Sequence, residues 1–280
     1  MRKSISFLLA IFAFVAVVPT FVACENEVED IKQEPQITLT TNKKVGETIT
    51  LRFHRENTPT DVIGATKISE EEFDMDGGGL LESGVVDFVY KLTSQTVVIK
   101  GDIPYIRCRE NGLTGLDVSR NPSLKLLQCD NNQLAALNVS NNPELEYLTC
   151  AFNQLTQLDM TKNTKLEWLA CASNNLTTLD VSKNFELGIL SCSNNKLTSL
   201  DVSKNTGLYN LICFNNKIKA AEMSKIINAL TDWTGKSISY PWIFITDYAT
   251  LSVVSTDKAE ENEISEADRK SAESKNWRYY

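Results

Sequence analysis

From Cys108 to Ile218 the apolar positions recur in register every 21 residues. One column is Leu124, Leu145, Leu166, Leu187 and Leu208. A second is Leu127, Leu148, Leu169, Leu190 and Leu211. A third is Leu113, Leu134, Leu155, Leu176, Leu197 and Ile218, and a fourth is Leu116, Leu137, Leu158, Leu179 and Leu200. Cys108, Cys129, Cys150, Cys171, Cys192 and Cys213 keep the same step. The unit reads L-x-x-L-x-C-x-x-N-x-L-x-x-L-D-V-S-x-N-x-x. A fixed period of this size marks a solenoid, because no coil can bury its apolar face alone and stacked neighbours bury a continuous core.

Within each unit the apolar positions switch to strand alternation. In Leu127-Gln128-Cys129 this predicts Leu127 and Cys129 pointing in, with Leu126, Gln128 and Asp130 pointing out. Each coil then adds a short parallel strand about 4.8 Å from the last, giving six coils a ridge roughly 25 Å long. Asn111, Asn132, Asn153, Asn174, Asn195 and Asn216 follow three residues after each Cys, where the chain turns out of the strand. A buried Asn side chain both donates and accepts, so this column is expected to be a structural ladder to the backbone of adjacent coils. A second polar set, such as Asp180-Val181-Ser182 with Asn184, is expected to organise the opposite turn through local bonds. The cysteines read as small buried hydrophobes. Adjacent Cβ atoms at about 4.8 Å lie outside the usual 3.5–4.5 Å of a disulfide, and one column of thiols lacks tetrahedral convergence for a metal.

The unit resembles the leucine-rich repeat, with Cys at a strand core position where Leu is commoner. The resemblance implies an α/β solenoid with a curved parallel sheet, whose concave face is the usual contact surface. On that face the column Tyr105, Leu126, Tyr147, Trp168, Ile189 and Asn210 is expected to be an exposed apolar stripe. Beside it run Arg107, Gln128, Thr149, Ala170, Ser191 and Ile212, and Phe152 and Phe214 lie at the edge. Large exposed apolar patches mark interfaces, and Trp and Tyr are favoured anchors. The candidate binding residues are therefore Tyr105, Arg107, Leu126, Gln128, Tyr147, Phe152, Trp168, Ile189 and Phe214.

The repeats occupy 101–217, and the flanks read differently. Residues 36–100 hold alternating segments at 36–40, 47–53, 85–90 and 96–100, expected to form an N-terminal β cap over the open end of the solenoid. Asp74 to Glu82 matches a calcium loop poorly and reads as a Gly-rich turn. In 218–280, Met223, Ile226, Ile227 and Leu230 share one helical face. A strand over 239–248, a polar helix over 266–275 and a last strand at 277–280 complete a small α/β C-terminal cap.

Residues 1–23 have the form of an export signal: Arg2 and Lys3, an apolar run from Ile5 to Val18, then Phe21-Val22-Ala23-Cys24. That ending resembles the bacterial lipobox, which implies cleavage after Ala23 and lipidation of Cys24. A plain secretory peptide is the alternative. Residues 24–35 form an acidic tether, and its Glu25, Glu27, Glu29 and Asp30 resemble the signal that sends lipoproteins of Bacteroidetes to the outer face of the outer membrane. Signal, repeats and tail together resemble the leucine-rich-repeat surface lipoproteins of gut Bacteroidetes.

The formal charge of -8 falls to -10 without residues 1–23, leaving 26 basic against 36 acidic residues. That balance argues against nucleic acid and against docking on anionic lipid, so membrane contact is expected only through Cys24. His54 is the single histidine, and neither G-x-S-x-G nor H-E-x-x-H occurs. No enzyme, cofactor or metal site is expected. A protein partner on the concave face is the leading expectation, with glycan binding or a spacer role as alternatives.

Overall fold

The computed structural model describes residues 34–72, 84–234, 238–240, 243–246, 249–252 and 262–279. The export signal, Cys24, most of the acidic tether and the turn at 74–82 lie outside them. In chain order the strands are β1 (Gln36–Thr41), β2 (Thr48–His54), β3 (Asp61–Ile63), β4 (Ala65–Glu72), β5 (Val85–Leu92), β6 (Thr96–Lys100), β7 (Tyr105–Arg107), β8 (Leu113–Arg120), β9 (Leu126–Gln128), β10 (Tyr147–Thr149), β11 (Trp168–Ala170), β12 (Ile189–Ser191), β13 (Asn210–Ile212), β14 (Ile238–Tyr240), β15 (Ile243–Thr246), β16 (Ala249–Ser252) and β17 (Trp277–Tyr279). Helix α1 spans Ala220–Ala229 and α2 spans Glu266–Ser274.

Eleven strands form one sheet in the order β17-β16-β13-β12-β11-β10-β9-β7-β2-β5-β4. From β7 to β17 neighbours are parallel and in register, so Leu127 meets Leu148 and Leu148 meets Leu169. Strands β2, β5 and β4 extend the same sheet antiparallel. A second sheet has the order β3-β6-β1-β8 and shares the core cluster of the first. The N-terminal cap is thus fused to the solenoid, and a single core cluster runs from Ile37 to Trp277.

The sequence expectations hold for β1, β2, β5, β6 and both helices, and β3, β4 and β8 are additions. Strand β8 falls inside the first coil, where the repeat reads as turn. It forms because β1 offers an antiparallel edge, pairing Leu39 with Leu116. The next coil finds no such edge and makes only the isolated bridge Asp117–Asn138. The strand expected over 239–248 is instead a hairpin of β14 and β15, and the sheet continues through β16.

Backbone polarity at the turns is met by the Asn ladder. Asn132 Oδ1 accepts from Leu113 N at 2.9 Å and Asn111 N at 3.1 Å. Its Nδ2 donates to the carbonyls of Cys108 and Cys129 at 3.0 and 2.9 Å. Asn153, Asn174, Asn195 and Asn216 repeat the pattern one coil on each time. At the cap, Asn111 exchanges two bonds with Thr50 of β2. At the far end Asn262, which the 21-residue step misses, donates to Cys213 O at 2.8 Å and accepts from Ile218 N at 3.0 Å.

The opposite turn is only partly local. Asp180 accepts from Ser182 N at 2.8 Å, as expected. Asn184, however, reaches back a coil, donating to Met160 O at 3.1 Å and Asn163 O at 2.7 Å. This makes a second ladder with Asn142, Asn163 and Asn205. The six repeat cysteines are buried thiols. Burial pushes Cys108 and Cys171 up to about 12 and the thiols of Cys129, Cys150 and Cys192 well above the ordinary range.

Asn153→Ala removes a shared donor and acceptor, and urea unfolding should show a loss of about 1–3 kcal/mol or more with an unchanged m-value. The six repeat thiols should react with a maleimide only as fast as the protein unfolds; rapid labelling of the native protein would refute their burial. The backbone N–H two residues on, then that residue's hydroxyl, holds Asp159, Asp180 and Asp201 below the ordinary 3.8. A carboxylate lowered on folding stabilises above its unfolded value and loses that contribution as the pH falls toward its folded one. Melting temperature should therefore fall as the pH drops below about 4, with a shallower fall in Asp180→Asn.

Candidate binding face

Strand alternation sends every second side chain out of the long sheet, and the parallel register lines these up in columns. The first is Tyr105, Leu126, Tyr147, Trp168, Ile189 and Asn210. It is less exposed than its sequence suggests. Leu126 is 0% exposed and Tyr147 8%, and Ile189 is buried, while Tyr105 and Trp168 are half-buried. In-register strands are only about 4.8 Å apart, so large side chains in one column cover one another. Leu126 is enclosed because Tyr105 and Tyr147 flank it. The stripe is thus a paved surface whose rings lie side by side. Tyr147 Oη donates to Glu167 at 2.9 Å, whereas Trp168 Nε1 is buried without a hydrogen-bond partner.

Gln128, expected at the surface, is also buried, between Arg107 and Thr149 of the second column. The third column begins with Arg109 and Asp130. Asp130 is buried and accepts from Thr149 Oγ1 at 2.6 Å and Ala151 N at 3.0 Å, with Arg109 Nε at 3.3 Å. Phe214 continues that column, partly buried.

Just past the strands lies a column with left-handed backbone: Glu110, Asn131, Phe152, Ser173, Asn194 and Asn215, with φ between 50° and 58°. The ladder imposes it. Phe152 N donates to Ala172 O at 2.9 Å, and its carbonyl accepts from Asn132 N at 3.2 Å. Asn tolerates this conformation, but a bulky residue is strained by roughly 1–2 kcal/mol. Phe152 is nevertheless 58% exposed.

The cap adds charge that the repeat pattern does not show. Strand β2 sets Arg52 directly across from Arg107, and Asp87 of β5 takes a two-pronged contact from Arg52. Among the described residues no group of three metal-ligating side chains converges, and no helix is long and apolar enough to cross a membrane.

No protein-family model and no curated protein matches the chain. Among solved structures, the functional domain of InlJ from Listeria monocytogenes, which includes a cysteine ladder, is similar at 31% identity and a TM-score of 0.50, over 66% of this chain and 36% of that one. The chain thus spans about a third of the length of that domain. An internalin (inlF) of the same species matches at 18% identity and a TM-score of 0.39, over 57% of this chain and 48% of its own. The leucine-rich-repeat protein LIC12759 of Leptospira interrogans matches at 18% and 0.39, over 58% and 44%. The InlJ likeness agrees with what the strands and ladder show directly: the chain folds as a leucine-rich-repeat solenoid with turns of about 21 residues.

Proposed function

We propose that this chain is a cell-surface binding protein, anchored to the outer membrane by lipid on Cys24, whose outward sheet face and adjoining rim take a protein partner. It performs no catalysis on this reading. Phe152 carries the reading. It occupies a left-handed position that strains it and is more than half exposed, so folding gains little from it. An exposed aromatic held rigid at the end of a strand is instead suited to anchoring a partner. Trp168 lies on the next strand, half-buried on the same face. Of the polar groups beside the rings, Gln128 is buried and Asp130 is already committed to three donors, which leaves Arg107 as the main group a glycan could use. The inferred export signal, lipobox and acidic tether support the location.

Phe152→Asn tests the site with two readouts. Relief of strain should raise the unfolding free energy by about 1 kcal/mol. Full-length variant in detergent, used as bait for host mucosal and bacterial extracts, should lose proteins that the wild type captures. Equal capture by both would remove the rim from the reading. Mass analysis of the N-terminal peptide of detergent-extracted protein should find Cys24 at the N-terminus carrying acyl chains, and an unmodified Cys24 would contradict the lipid anchor.

A further inference from the structure

The charged groups of the outward face gather at one end. Arg52, Arg107 and Arg109 meet there, where β2 joins β7, in a protein whose net charge is -8. Two carboxylates are paired with them, and a third, Glu110, follows Arg109 on the rim. Asp87 is held by Arg52 at 2.5 Å through both its oxygens. Asp130 is held by Thr149, the Ala151 backbone and Arg109. Arg107 is the remainder. Its Nε is buried with no hydrogen-bond partner, and it makes no ion pair among the described residues. Burial first, then the charges of Arg52 and Arg109, push its guanidinium down to about 10 against the opposing pull of Asp87. Glu71 pairs with Asp87 from β4. It lies three strands from Arg107, roughly 14 Å at about 4.8 Å per strand, beyond the screening length of about 8–10 Å.

A partly buried cation flanked by two like charges works against folding. The arrangement makes sense once an anion arrives. Arg107 is the one of the three guanidinium groups that makes no ion pair among the described residues, so it is the one left to take an anion. A guanidinium fork matches the two oxygens of a carboxylate. Tyr105, two residues before Arg107 on the same face, is half-exposed and begins the apolar column. That pairing favours a segment carrying an acidic side chain beside an apolar one.

We infer that Arg107, backed by Arg52 and Arg109, is the docking point for an aspartate or glutamate carboxylate of the protein partner. The inference rests on the outward face being the protein-binding surface.

The test uses a dye-labelled hexaglutamate peptide as probe and full-length protein in detergent, read by fluorescence anisotropy. Wild type should bind it, more weakly as salt rises. Arg107→Met, which keeps the packing stem, should weaken binding by about tenfold or more, the factor set by roughly 1.4 kcal/mol. The same variant should melt higher than wild type when free, because the repulsion is gone. Arg107→Lys keeps the charge without the fork and should fall between. No binding by wild type, equal binding by Arg107→Met, or a lower melting temperature for that variant would each overturn the inference. Displacement of hexaglutamate by inorganic phosphate or oligogalacturonate at lower concentration than by glutamate peptides would overturn it too, in favour of a phosphate or sugar ligand. Phe152-dependent capture that survives Arg107→Met would leave the binding face standing and remove only the carboxylate contact.

Discussion

A flat coil of this chain must turn out of its strand every 21 residues, and each turn buries backbone N–H and C=O groups that no sheet can satisfy. The asparagine side chain resolves this, since it alone combines a donor pair with an acceptor on a stem short enough to fit the turn. Through it each coil hydrogen-bonds to the previous one independently of the sheet. A leucine column alone would stack the coils but leave their turns unsatisfied, at a cost of about 1–3 kcal/mol for each buried group. The ladder also explains how the ends are closed. Asn111 spends its side chain on the cap strand, and Asn262 supplies a further rung from outside the repeat.

The same register shapes the outward face. In-register stacking hides residues that alternation points outward, so most of the face is paved and quiet. Two places depart from this. Phe152 keeps a strained backbone and an exposed ring, and Arg107 keeps a charge without a counter-ion. Neither helps the fold, and both lie on the side of the sheet away from the core. A protein that sits only a few kcal/mol above unfolding retains such features where they serve contact with something else.

The inward half of the structure was legible because it is periodic. The leucine and cysteine columns, the ladder asparagines and the short parallel strands follow from spacing alone. The outward half was not, because exposure there depends on neighbours. Leu126 and Ile189 carry the right parity for the surface and are buried by the rings or chains beside them. The charge at Arg107 needed a long-range fact, that β2 docks antiparallel on β7 and brings Arg52 across from it. The strain at Phe152 could have been suspected, since its column otherwise holds Asn, Ser and Glu. Asn262 was hidden by an insertion that breaks the step, although Asn262-Glu263-Ile264 keeps the ladder's N-x-L form.

The central claim is that a partner covers the outward face and its rim. Amide hydrogen exchange on the captured complex tests it most directly. New protection should concentrate at Tyr105–Arg107 and around Phe152, with the opposite turns at Asp159, Asp180 and Asp201 unchanged. Protection confined to those opposite turns, with the outward face exchanging as in the free protein, would contradict it.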